Sequence, residues 1–150
     1  MGLDMYLNVR YYFPYNEQAD TNAKFREAWG KLAQLGHLKS VDLEGCYWRK
    51  ANAIHNWFVK NVQHGVDDCA SYEVKRAKLV ELLNTCQQIL KDHSLAEKLL
   101  PPVSGFFFGS TEIDEGYFED LTHTHEQLTR LLNALPEDGF YTTVTYQSSW

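Results

Sequence analysis

The chain is 150 residues long, 44% hydrophobic and 23% charged, with a formal net charge of -6 and a pI near 5.4. That length fits one domain with a core of its own, and the acidic balance excludes a general binder of phosphate backbones, so nucleic acid is not an expected partner. Three cysteines without a CxxC pair or metal-ligand spacing predict reduced thiols, and the lack of a run of about 18 apolar residues predicts a soluble cytoplasmic protein with no membrane partner.

Residues 3–13 alternate, with Leu3, Met5, Leu7, Val9, Tyr11 and Phe13 on one side, which predicts a half-buried strand ended by Pro14. Phe25, Trp29 and Leu32 recur at helical spacing within 16–35, predicting an amphipathic helix stopped by Gly36. Weak alternation through Val41 and Leu43 reads as a short strand over 38–44. Tyr47, Ala51, Ile54, Phe58 and Val62 then predict a central helix over 47–62 with one core face, closed by Gly65. Leu79, Leu82, Leu83, Cys86, Ile89 and Leu90 predict a helix over 75–91, and a short helix over 94–100 ends at Pro101 and Pro102.

Gly105-Phe-Phe-Phe-Gly109 follows, and three consecutive rings cannot all face one core, so at least one should lie over a cleft or an interface. Thr111 with Asp114 fits a capping box for an acidic helix to about Leu135, buried along Ile113, Tyr117, Leu121, Leu128, Leu131, Leu132 and Leu135. A turn at 136–139 leads to a strand over 140–147. Strands at both ends of the chain should pair. The expected fold is therefore an α+β, helix-dominated single domain with a small antiparallel sheet formed by the N- and C-terminal strands.

The first site candidate is the flank of the central helix, where Arg49, Asn52, His55 and Asn56 would share a surface with the flat face of Trp48 nearby. A cation, amides and an aromatic suit a heteroaromatic or phosphorylated ligand, and the competing reading is a solvated helix flank. The second candidate is the Phe run with its following hydroxyls, Phe107, Ser110 and Thr111. Glu112, Asp114 and Glu115 already supply negative charge there, so a ligand hydroxyl or amine belongs at that end and any phosphate beside Arg49 or Lys50. Gln147 could line the same pocket from the C-terminal strand. Glu112, Glu115, Glu119 and His123 read more readily as a solvated acidic face than as metal ligands. No nucleophile elbow, Walker loop or dinucleotide fingerprint occurs, so no catalytic residue, metal or cofactor is expected.

MGLDMYL at 1–7, YWRKANAIHNWFV at 47–59, DDC at 67–69, GFFFGSTEIDEGYFEDL at 105–121 and YQSSW at 146–150 together resemble a family of short proteins encoded by bacteriophages and bacterial genomes, one without an established activity. The resemblance covers about half of the chain and departs over 9–44. It implies a phage or prophage accessory protein in the host bacterial cytoplasm, a setting in which host defences are countered. Three readings follow. The favoured one is a binder of a small polar ligand, a nucleotide derivative in its finer form, that sequesters a defence signal. A second is an inhibitor of a host protein through the acidic 112–138 segment, and exposed aromatics leave a homo-oligomer open. A third is a small hydrolase using His55 with Asp4, Asp114 or Glu112.

Overall fold

The computed structural model describes residues 2–14, 18–137 and 140–150, with the backbone alone over 18–22. Strand β1 (Asp4–Tyr12) lies at the middle of a four-stranded antiparallel sheet of order β2-β1-β4-β3, where β2 is Ser40–Arg49, β3 Tyr72–Glu73 and β4 Thr142–Ser149. The two ends of the chain pair as expected, from Asp4 opposite Ser149 to Tyr11 opposite Thr142. The fold is α+β, one sheet with its helices packed on it.

Period-two alternation decides which side is covered. Met5, Leu7, Cys46, Trp48, Val144 and Tyr146 point into the core, while Asp4, Tyr6, Asn8, Arg10 and Tyr12 stand on the other side. Helices α2 (Asn52–Asn61), α3 (Arg76–Lys91) and α5 (Glu115–Ala134) bury their apolar stripes against the core side, and α4 is a single turn, Ala96–Leu99. Phe58 of α2 stacks on Tyr146 at 4.0 Å and 8°, and the Trp48 indole N–H donates to Thr124 Oγ1 at 2.8 Å. Burial of both cysteines in this core pushes the Cys46 and Cys86 thiols up to about 12, which marks them as packing groups. No helix among the described residues is long and apolar enough to cross a membrane.

Four expectations are corrected. The central helix does not begin at Tyr47: β2 continues to Arg49, because Cys46 and Trp48 alternate into the core, and α2 starts only at Asn52. The stripe expected over 16–35 is not buried. There, α1 (Gln18–Trp29) gives way to a 3-10 turn (Gly30–Leu35), and Trp29, Leu32 and Leu35 face solvent because α2, α3 and α5 already occupy the covered side of the sheet. Thr111 and Ile113 are exposed outside α5, whose cap is Asp114 itself, accepting from Tyr117 N at 3.1 Å. Finally, β4 begins at Thr142 and runs two residues beyond the expected 147. Of the turn placed at 136–139, residues 138 and 139 lie outside the described residues.

The outer strand β2 would present free backbone groups, a liability for any sheet. Part of it is closed by α5. The Gln127 side chain accepts from Tyr47 N at 2.9 Å and donates Nε2 to Tyr47 O at 3.0 Å, and Arg130 Nη2 donates to Gly45 O at 3.0 Å.

Candidate functional site

The passage from β2 to α2 is abrupt. Lys50 turns the chain in a left-handed conformation, φ 59°, with its N–H donating to Leu3 O at 2.7 Å. A lysine there is strained, and such strain gathers where a surface is shaped for use. Two residues on, the buried Asn52 amide spends all of its capacity on one loop. Nδ2 donates to Phe108 O at 3.0 Å and to Ser110 O at 2.7 Å, and Oδ1 accepts from Val103 N at 3.0 Å. Asn52 is therefore a staple that holds the 103–110 loop on α2.

Glycines complete that loop. Gly109 (φ 88°) lies against Lys50, where a Cβ would approach the Lys50 Cβ to 3.2 Å. A Cβ on Gly105 would overlap the Phe108 ring, which folds back over it and meets the His55 ring edge-on at 5.1 Å. Gly105→Ala should therefore push Phe108 out of the core and cost about 2 kcal/mol, the scale of overpacking. Urea unfolding would show it. An unchanged midpoint would mean that the loop yields freely.

The stapled loop, the start of α2 and the first turns of α5 enclose a cleft of about 300 Å³. Arg49, Lys50, Glu112, Asp114, Glu119 and Asp120 line its charged part and Ile54, Tyr117 and Leu121 its apolar part, while the Arg49 guanidinium also stands 4.0 Å from Asp4 Oδ1. Ala51 precedes α2 as its cap position with no side-chain cap, and Ala53 also lines the cleft. Burial pushes the Asp120 carboxyl up to about 6, with Glu119 and Asp114 adding to the rise and His123 opposing it.

This predicts a particular pH dependence. Because the folded Asp120 carboxyl holds its proton up to about 6, against an ordinary 3.8, it weakens the fold at neutral pH, and that penalty shrinks as pH falls from about 6 and is gone only below 3.8. His55 works the other way. Its burial holds the imidazole below the ordinary 6.5, so the stability present above that value is lost as pH falls through the folded pKa. Asp120→Asn should be more stable than the parent at pH 7.5, and that advantage should be clearly smaller at pH 5, on its way to vanishing below 3.8, where the carboxyl is neutral in the folded and the unfolded chain alike. Unfolding free energies at the two pH values check this. A constant difference would place Asp120 in solvent.

The residues marked in the sequence do not all come together. Arg49, Asn52 and Ser110 meet at the cleft. Trp48 does not reach it, being 2% exposed inside the core, and Phe107 is half-buried beside the start of β1, its carbonyl accepting from Leu3 N. Thr111 is exposed next to the cleft; Asn56 turns toward Pro101 O at 3.5 Å; Gln147 lies on the sheet and donates to Cys69 O at 3.1 Å. His55 is fully buried, so it does not share a surface with Arg49. Its Nε2 faces Asp67 Oδ1 at 3.0 Å and its Nδ1 faces the Tyr146 hydroxyl at 2.7 Å. A carboxylate only accepts, so Nε2 carries the proton and the neutral ring accepts from Tyr146. Asp67 is thus its partner, whereas Asp4 accepts from the Tyr47 hydroxyl at 2.5 Å and Asp114 and Glu112 lie at the cleft.

Asp120 escaped the sequence reading, which set Glu119 on a solvated acidic face and Tyr117 in the buried stripe. On a helix rich in acids nothing in residue type separates a carboxylate at a cleft from one in water. Among the described residues no group of three His, Cys, Asp or Glu is arranged to hold a metal ion. Comparison with family models, with curated proteins and with solved structures finds no match to this chain.

Proposed function

We propose that the protein binds a small polar ligand in the cleft and holds it unchanged, the finer reading being a nucleotide derivative. One observation carries this: two cations, Arg49 and Lys50, and a set of carboxylates, Asp114, Asp120 and their neighbours, line one space of about 300 Å³. Phosphate oxygens suit the cations, and sugar hydroxyls or an exocyclic amine suit the carboxylates. That volume is at the low end for ligand sites, roughly 300–1,000 Å³, and favours one nucleotide unit over a long chain. In the phage setting that the sequence motifs imply, tight holding would withdraw a host defence signal from circulation.

Calorimetric titration with a panel of mono-, di- and cyclic nucleotides tests the reading. At least one should bind with one-to-one stoichiometry, and Arg49→Ala should weaken it at least tenfold, about 1.4 kcal/mol, while the thermal midpoint stays within a few degrees. Silence across the panel would sink the nucleotide form. Conversion of the bound nucleotide during incubation would replace a binder with an enzyme.

A protein partner is the second reading, and Phe106 favours it. At the tip of the 105–109 loop its ring is 91% exposed, edge-on to Phe107 at 4.7 Å, in the manner of an anchor residue. Phe106→Ser would abolish a host-protein complex and leave nucleotide binding intact.

A further inference from the structure

Gln147 does not line the cleft, and the place it does line has a different chemistry. On the uncovered side of the sheet lies a depression of about 330 Å³. The alternation of β1, β2 and β4 fills it. Asn8 stands opposite Thr145, Arg10 opposite both Thr143 and Asp42, and Gln147 one pair further along, with Tyr12 and Ser71 at the rim. Every one of these side chains carries a hydrogen-bonding group.

Charge is cancelled within it. Arg10 makes a two-pronged pair with Asp42, Nε to Oδ1 at 2.6 Å and Nη2 to Oδ2 at 3.0 Å, which raises the guanidinium pKa and holds the carboxyl below its usual range. An anion finds Arg10 already occupied, and a cation finds Asp42 occupied. An apolar ligand finds no aliphatic wall. What remains are the Asn8 amide, the part of the Gln147 amide not given to Cys69 O, the hydroxyls of Ser71, Thr143 and Thr145, and one aromatic face, Tyr12. Hydroxyls and amides both give and accept hydrogen bonds, as the hydroxyls of a sugar do, while a tyrosine face packs against the C–H side of a ring. A peptide of the same size would also bring side chains needing apolar or charged subsites.

We infer that this depression is a second binding site, one for an uncharged polyhydroxylated ligand, a saccharide of one or two rings. The site is separate from the cleft and does not depend on what the cleft binds. Being open on one side, it should hold a simple glycoside weakly, with Kd on the order of 1 mM.

Amide-detected NMR on the intact chain tests it, because Asn8 and Gln147 report through their own side-chain NH2 signals. Methyl glycosides of glucose, galactose, mannose and N-acetylglucosamine would be titrated to about 50 mM, with glycerol as a control, a range chosen to span that Kd. The expected result is saturable shifts for at least one glycoside at Asn8, Gln147 and the neighbouring β1 and β4 amides. The double change Asn8→Ala with Thr145→Val should then weaken binding roughly tenfold while the spectrum stays dispersed. Should that variant not fold, Thr143→Val alone serves the same comparison. No saturable shift with any glycoside, equal shifts with glycerol, or affinity indifferent to these changes would overturn the assignment.

Discussion

Replacing Asn52 by leucine should unfold the loop before it unfolds the domain, and should lower the stability of the whole by about 4 kcal/mol. The figure follows from what the amide does. Phe108 O, Ser110 O and Val103 N would each lose their partner, at about 1–3 kcal/mol for a polar group left unsatisfied, less for Ser110, which can turn to water. For a chain of this size that is a fall of roughly 10 °C in thermal midpoint. Asn52→Asp is the sharper control: it keeps the acceptor for Val103 N but turns a buried carboxylate oxygen onto Phe108 O and Ser110 O in place of both donors. At neutral pH it should be at least as destabilised as the leucine variant. Both variants should also lose cleft binding, because the loop carries one rim. If leucine were tolerated within about 1 kcal/mol, the loop would be held by its aromatic contacts instead.

The second large effect concerns Lys50, where stability and binding should move apart. Lys50→Gly removes one of the cleft's two cations and also the side chain that makes φ 59° unfavourable. A left-handed residue with a Cβ costs about 1–2 kcal/mol, and a glycine gives back about 0.4–1 kcal/mol through the greater freedom of the unfolded chain. The variant should therefore be as stable as the parent or up to about 1 kcal/mol more so. Its affinity for a phosphorylated ligand should fall at least tenfold, since a charge-assisted hydrogen bond contributes about 1.5–3 kcal/mol. Lys50→Ala separates the two contributions: it removes the same charge and keeps the strain. Affinity unchanged in both variants would take the anion away from this side chain. A loss of stability in the glycine variant would mean that the aliphatic stem of Lys50, packed beside Gly2 and Gly109, matters more than its backbone.

The sheet and the long helices were legible because each follows one period for many residues. Leu3 to Tyr11, the Leu79 to Ile89 stripe and the terminal strand pair all stand where the alternation places them. The exposed ring of the Phe run was legible too, from crowding alone. The strand-to-helix junction was not. Tyr47 and Ala51 stand four apart by coincidence, since one lies on a strand and the other just before a helix, and a lysine gives no hint of a positive φ. Nor could local pattern reveal Asn52 and His55 as inward-facing. Their partners lie 51 to 58 residues away for the first and up to 91 for the second. Arg49 and Lys50 line the same cleft as Glu112 and Asp114, a joining of distant segments that no local pattern shows.

The amide of Gln127 stands where the peptide group of a fifth strand would stand. It offers Tyr47 the same donor and acceptor that an incoming backbone would bring. An extended segment sliding along β2 would meet it as a stop, and Arg130 at Gly45 as a second. Along β2 the five residues from Ser40 to Glu44 remain for annexation, fewer than the roughly six or seven of a segment that seeds a lasting cross-β stack. One glutamine, borrowed from a helix, thereby sets the width of the sheet and keeps neighbouring copies from being knitted into it.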